Sequence, residues 1–568
     1  MTGFCCKVCC GLAFFALAGC GAPKPPAPPQ QAAATPPVEQ LRQIVESYWD
    51  ERPPAENAIA PQILADSLDI ERRYLAEVLA VSRDALDTPS RLTYDIFRRR
   101  REIAIESFTF PNELLPIDPF GGATQELAAQ AADMEQHPGA AASQYENWLK
   151  RIDDHVLWTQ QAAANMREGM RRGYTSPRAV IERMLRILER LGVDDSNNVF
   201  YAPLRSMPES IKDPERGRLT REMTGAVSGK LLPAIRALHD FLQKEYLPRA
   251  RTGIALTALP LGREWYAFLV KRTTGTALTP EEVNRIGVAE VERLGLPPPR
   301  DPAPPLAANG GVPANGALPA NGLVSAYKDL EVQVRAALPA AFTETPPADL
   351  DIRGTEWLPQ PAAPLYYRRG GPGGAPAILY VNTLKAAKAA FSIANFLQRG
   401  LPGELFQMAV EQQQTDLPRF RRFGSEPAFT RGWGLYAASL GDTLGLYTDE
   451  SAKLDAAAVQ MRCAVDLVVD TSLHAKGWTR GQAIDYLRVH LGIDDLDAQS
   501  LIDSYATSPA DALACMGEMK FRALRAMAQQ RLGSRFDLRE FHSEILRGGG
   551  MPPDILEARM KSWMDAAK

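Results

Sequence analysis

Apolar positions recur at intervals of three and four along most of the chain, the spacing of an α-helix with one buried face. From Glu39 to about Glu344 this period dominates. It runs through VEQLRQIVESYWDE (38–51), SRLTYDIFRRRREIAIESF (90–108), PRAVIERMLRILERLG (177–192), KLLPAIRALHDFLQKEYL (230–247) and TPEEVNRIGVAEVERLG (279–295). The last opens with Thr279-Pro280-Glu281-Glu282, an N-cap residue followed three positions later by a glutamate. The helical period returns from Leu384 to Lys568. Between the two helical stretches, residues 349–383 hold the only β-like runs, near LYYRR (365–369) and AILYVNT (377–383). The glycine-rich loop GGPGGAP (370–376) between them has no Lys-Ser/Thr pair and opens no helix, so it reads as a hairpin loop rather than a phosphate cradle. Residues 297–323 carry PANGALPANG and read as a low-complexity surface insertion. No composition break divides 39–568. The expected fold is a mainly α, large multi-helix single domain with a small β-hairpin or sheet element.

The first twenty residues have a different pattern. Lys7 precedes an apolar run from Val8 to Ala18, too short to span a bilayer, which ends in Leu17-Ala18-Gly19-Cys20. This looks like a bacterial lipobox, with residues 1–19 as signal peptide and Cys20 as the acylated N-terminus. Residues 20–38 then form a lipidated cysteine and a Pro/Ala-rich tether. The reading implies attachment to the membrane of the cell envelope on its periplasmic face. Gly21 is not the Asp of inner-membrane retention, which favours the outer membrane. Cys5, Cys6, Cys9 and Cys10 mimic metal-ligand spacing but fall within the cleaved segment.

Composition narrows the function classes. Sixty-four Lys+Arg face 68 Asp+Glu, a net charge of -4, where a nucleic-acid binder would show a basic excess. Removing residues 1–19 loses only Lys7 and takes the charge to -5. Mature cysteines are Cys20, Cys463 and Cys515; the last two either pair in an oxidising compartment or stand as buried free thiols. The six histidines include no two that are four apart, so there is no H-E-x-x-H zinc helix, and no G-x-S-x-G elbow occurs. Ser325 to Lys328 is an isolated S-x-x-K. Asp494, Asp495 and Asp497 read as a solvated turn, and Arg98 to Arg101 as a solvated helical face.

Several segments resemble the bacterial domain-of-unknown-function 885 family, large helical proteins related to zinc metallopeptidases. They include ALPLGREWYAFLVKRTTGTALTPEEVNRIGVAEVERLG (258–295), GLPGELFQ (400–407), RGWGLYAASLG (431–441) and VVDTSLHAKGWTRGQAIDYL (468–487). SYATSPADALACMGEMKFRALR (504–525) and FDLREFHSEIL (536–546) follow in the family's order. The resemblance implies a metallopeptidase-like helical architecture around a central cleft. The family's metal motif reads approximately H-E-x-x-P-G-H-H-L-Q, followed by E-G-W-A-L-Y-x-E. Here the scaffold remains in Gly400, Pro402, Gly403, Gln407, Gly432, Trp433 and Tyr436. The chemistry does not. Gln398 stands for the first His, Arg399 for the general-base Glu, Glu404 and Leu405 for the His pair, Arg431 for the next Glu and Ala438 for the last. Cys515 replaces a family tyrosine, while His474 and Tyr505 stand at family positions. Two cations in place of anions would repel a dication.

The resemblance therefore implies a degenerate metal site without zinc or other cofactor, and a lipoprotein acting as a non-catalytic binding or scaffolding protein. Glu404 is placed to pair with one of the arginines. Arg399, Arg431, Tyr436, His474 and Tyr505 are the candidate ligand-binding residues, for a peptide carboxylate or another anion; for His474 a structural, helix-terminal role is preferred. The alternatives are a hydrolase built on Cys515 with His474 or on carboxylates, and a purely structural envelope lipoprotein.

Overall fold

The amphipathic stretches fold as helices because each turns one apolar face onto a neighbour. The computed structural model describes residues 35–52, 58–138, 141–295, 320–344, 350–355, 364–371, 376–383 and 391–567. The signal peptide, Cys20 and most of the tether lie outside the described residues, as does 297–319 of the low-complexity segment. That segment's last residues, from Ala320, open the helix Ala320–Ala337 rather than continuing a surface loop. The expected helices are present, beginning with Pro37–Glu51, and Thr279 with Glu282 forms a complete capping box at Pro280–Leu294. No described helix is long and apolar enough to cross a membrane.

The protein is predominantly α, a single large domain with a small three-stranded sheet. Residues 117–246 supply a helical bundle with its own core around Trp148, Phe200 and Tyr246. The N-terminal helices instead pack with the far C-terminal ones, in a core running from Leu41 to Met564. Between these cores lies the helix Glu450–His474, whose second half is buried. In the sheet, β3 (Ile378–Asn382) is central, parallel to β1 (Asp351–Thr355) and antiparallel to β2 (Leu365–Arg368). The hairpin pair was legible; β1, with the sequence DIRGT, lacks apolar alternation and was not.

Arg98 to Arg101 are not a solvated face, which corrects the expectation above. Only Arg98 stays with its helical neighbour Glu102. Arg99 binds Asp554 at 2.7 Å, Arg100 binds Glu426 at 2.7 Å and Arg101 is buried against Glu71 at 3.0 Å. Four consecutive positions sweep around a helix, so their side chains leave in different directions and tie three other segments to this one. Asp494 caps the helix Asp495–Thr507, accepting from the Asp497 N–H at 2.8 Å, which gives the acidic cluster a structural role.

Candidate functional site

The segment from Gln398 to Glu404 reverses the chain between two short helices. Ile393–Arg399 ends at Gly400, and Glu404–Gln413 begins directly after Gly403. A side chain at Gly403 would put Cβ 1.9 Å from the Gln398 carbonyl oxygen, so only glycine permits the turn. The reversal returns Glu404 to Arg399, whose Nη1 donates to Glu404 Oε1 at 2.7 Å. The Tyr367 hydroxyl of β2 donates to Oε2 at 2.7 Å. Glu404 is fully buried at 0% exposure, with both oxygens engaged, while Arg399 reaches the surface at 30%.

The helix Pro427–Ala438 lies across this turn. At Gly434 a Cβ would come within 2.6 Å of the Gln398 oxygen and of Glu404 Cγ, so the two motifs touch through glycine. One turn earlier, Arg431 donates from Nη1 to the Asp511 carbonyl at 2.8 Å and from Nη2 to Asp511 Oδ2 at 2.9 Å. Burial opposes the charge of Arg431, but the carboxylates of Asp511 and Glu404 outweigh it and raise its pKa. Tyr367 is held protonated, its pKa raised by burial and then by Glu404. The geometry thus brings together Gln398, Arg399, Glu404 and Arg431, and adds Tyr367 and Asp511. Sequence reasoning missed both. Tyr367 was read only as part of a strand, and Asp511 was given no role of its own.

Other candidates fall elsewhere. Leu405 and Ala438 are buried in the core, and the Ala438 carbonyl accepts from the Tyr447 hydroxyl. Cys515 is bonded to Cys463 in a disulfide, so it offers no thiolate and the Cys515–His474 nucleophile is overturned. His474 is buried: its Nδ1 accepts from the Leu256 N–H at 3.0 Å and its Nε2–H donates to the Tyr505 carbonyl at 3.1 Å. The Tyr505 hydroxyl donates to the Asp466 carboxylate. Tyr436 donates to His542 Nε2 at 2.8 Å, and His542 Nδ1–H to the Ala341 carbonyl at 2.8 Å. Tyr436, His474 and Tyr505 are buried with their side chains hydrogen-bonded inside the protein, which for His474 is the structural role preferred above.

Burial pushes the His474 pKa down to about 3, so it is neutral when folded. An unfolded histidine titrates near 6.5, so His474's stability contribution is present above that value and lost as pH falls through the window below it. Replacing His474 with glutamine is expected to cost stability at pH 7. The deficit should shrink at pH 5 by about 2 kcal/mol, at roughly 1.4 kcal/mol per pH unit. Urea denaturation of both proteins at the two pH values checks this; a deficit that grows on acidification contradicts it.

Around Asp511 the chain is held by a further buried group. Asp470 accepts from the Tyr266 hydroxyl at 2.6 Å and from the Ala510 N–H at 3.1 Å. Ala510 has φ +65°, a left-handed conformation unusual for alanine, at the bend that presents Asp511. Beside this bend lies a cavity of about 270 Å³, bordered by Trp265, Arg251, Arg272 and Asp511.

Residues 56–295 and 312–560 match the bacterial proteins of unknown function termed DUF885. The chain belongs to this family. No curated protein matches it. Among solved structures, it is similar to "the putative lipoprotein from Colwellia psychrerythraea", with a TM-score of 0.77 at 20% identity over 93% of this chain and 99% of that one. It is also similar to "a putative lipoprotein of unknown function from Shewanella oneidensis", with a TM-score of 0.61 at 16% identity over 92% and 98% of the two chains. At these identities the likeness shows a shared fold.

The residues compared above with a metal motif do not fit zinc. Glu404 is the only carboxylate among Gln398, Arg399, Glu404, Leu405, Arg431 and Ala438, and both its oxygens are taken by Arg399 and Tyr367. Among the described residues no group of three or more His, Cys, Asp and Glu is arranged to hold a metal ion.

Proposed function

We propose that this DUF885 protein is a lipid-anchored, non-catalytic binding or scaffolding protein of the cell envelope. On this reading it keeps a metallopeptidase-like shell whose metal position is filled by internal ion pairs. The observation that carries the proposal is the fully buried Glu404 carboxylate, shared between Arg399 and Tyr367. A general base must be free to take a proton from water, and a ligand must offer a lone pair to the metal; Glu404 does neither. Arg431 is likewise committed to Asp511. The lipobox-like sequence ending at Cys20 supports the anchor, and the two similar structures named as lipoproteins accord with it. On the same reading the signal sequence supports a periplasmic orientation, and Gly21 in place of the Asp of inner-membrane retention favours the outer membrane.

A double-mutant cycle tests the charge replacement. Arg399→Ala leaves Glu404 buried with only the Tyr367 hydroxyl, and should cost about 2–3 kcal/mol in urea denaturation, less than the roughly 3–5 kcal/mol for a fully enclosed pair because Arg399 reaches the surface. Changing both Arg399 and Glu404 to methionine removes the stranded charge and should recover most of the loss. The wild type and all variants should hydrolyse no peptide in a mixed peptide library analysed by mass spectrometry. Cleavage by the wild type that Glu404→Gln abolishes would overturn the non-catalytic reading.

A further inference from the structure

The cavity beside Asp511 carries an unbalanced charge. It lies between residues 112–117 and 176–180 on one side, and the helix Gly262–Thr274 with residues 506–511 on the other. Two arginines border it. Arg251 donates Nε to the Gly253 carbonyl at 3.1 Å, Nη1 to Thr175 at 3.1 Å and Nη2 to Ile254 at 3.3 Å. All three acceptors are neutral, so no carboxylate offsets its charge, and burial pushes its pKa down to about 10. Arg272 has no hydrogen bond or ion pair among the described residues; its guanidinium lies 5.9 Å from the Phe268 ring centre. The carboxylate that acts on it is Asp511, whose Oδ2 already accepts from Arg431.

The cavity thus has two cations and one carboxylate, which shares its Oδ2 with Arg431 outside the cavity. The Trp265 ring forms part of the same wall. Arg272 is exposed, so a carboxylate entering the cavity can reach guanidinium donors that no protein group uses, and an arginine–carboxylate pair is strong when both bonds form. Ile117, Val180 and Leu269 make the rest of the wall apolar. At about 270 Å³ the space lies just below the roughly 300–1,000 Å³ of drug-sized sites, enough for a small molecule or the end of a chain.

The geometry points to a binding site for a carboxylate carried on a short apolar group, with Arg272 as the residue that takes the carboxylate. The ligand is either the C-terminal residue of a peptide or a free small carboxylic acid, since both offer the same chemistry. This deepens, and rests on, the reading of the protein as a non-catalytic binder. It also moves the anion from Arg399 and Arg431, which are paired internally, to an arginine that is not.

Isothermal titration of the full mature protein with N-acetyl-leucine, its neutral counterpart N-acetyl-leucinamide and N-acetyl-alanyl-leucine tests it. The carboxylates should bind, and the amide should bind at least tenfold more weakly. Arg272→Ala should weaken the carboxylates at least tenfold, and Arg272→Lys by less. Ser508→Phe, at an exposed position bordering the cavity, should block binding with an unchanged melting temperature. Tighter binding of the dipeptide assigns a peptide end; equal binding assigns a free acid. Equal binding of acid and amide, or full binding by Arg272→Ala, overturns the site. Zinc analysis of the same sample separates the two failures: stoichiometric zinc sinks the non-catalytic reading whatever the titration gives, whereas zinc-free protein that ignores carboxylates sinks this inference alone.

Discussion

Replacing Gly517 with alanine is expected to destabilise the protein by about 3 kcal/mol, at the upper end of the overpacking range. Gly517 begins the helix Gly517–Leu532, which crosses Pro427–Ala438 at Gly432. A Cβ on Gly517 would lie 1.8 Å from the Ala428 carbonyl oxygen, and one on Gly432 2.4 Å from the Gly517 carbonyl carbon. Both clashes are with backbone, so no rotamer change relieves them and a helix must move. Moving Pro427–Ala438 also displaces Arg431 from Asp511 and Gly434 from Glu404, so Gly517→Ala should loosen the ion pairs as well. Gly481, with nothing within 4 Å of its Cβ position, is the control. Gly481→Ala should be neutral or stabilising by up to about 1 kcal/mol. Guanidinium denaturation of both variants measures the contrast; equal effects would mean that the crossing is not backbone-tight.

Loss of the Cys463–Cys515 disulfide is expected to cost about 4 kcal/mol, from the loop-closure entropy of a bridge spanning 52 residues. The bond ties the helix Glu450–His474 to the 3₁₀ turn Asp511–Met516, whose first residue is the partner of Arg431. Cys463→Ala/Cys515→Ala should therefore melt earlier than the wild type, and reductant should lower the wild type's melting temperature while leaving the variant's unchanged. With Cys20 acylated, the unfolded, unreduced mature chain should show no free thiol to a mass-tagging reagent. Two free thiols would contradict the bond.

How much of this could be read from the chain follows from the range of the interactions. Local signals were legible: the helical period, the Thr279–Glu282 capping box and the 365–382 hairpin each depend on residues within a few positions. The turn at Gly400–Gly403 and the glycines of Pro427–Ala438 stand in the compared motifs, and Gly403 and Gly434 do sit at close approaches to Gln398. The expected pairing of Glu404 with an arginine holds for Arg399, five residues away. Long-range partners were not legible. Nothing near Tyr367 points to Glu404, and nothing near Arg100 points to Glu426, 326 residues on. The resemblance implied a cleft lined by His474 and Tyr505, but sequence position says nothing of direction; their side chains turn inward onto Leu256 and Asp466. The unpaired Arg272 was invisible for the same reason, since a missing partner has no sequence signal.

The central claim is that internal ion pairs stand where the family's metal motif would hold zinc. Metal content decides it most directly: the mature protein, purified without chelators, is analysed by inductively coupled plasma mass spectrometry. The account predicts zinc far below one equivalent, unchanged after incubation with excess zinc and gel filtration. One equivalent of zinc that survives gel filtration and is lost in Glu404→Gln would contradict it.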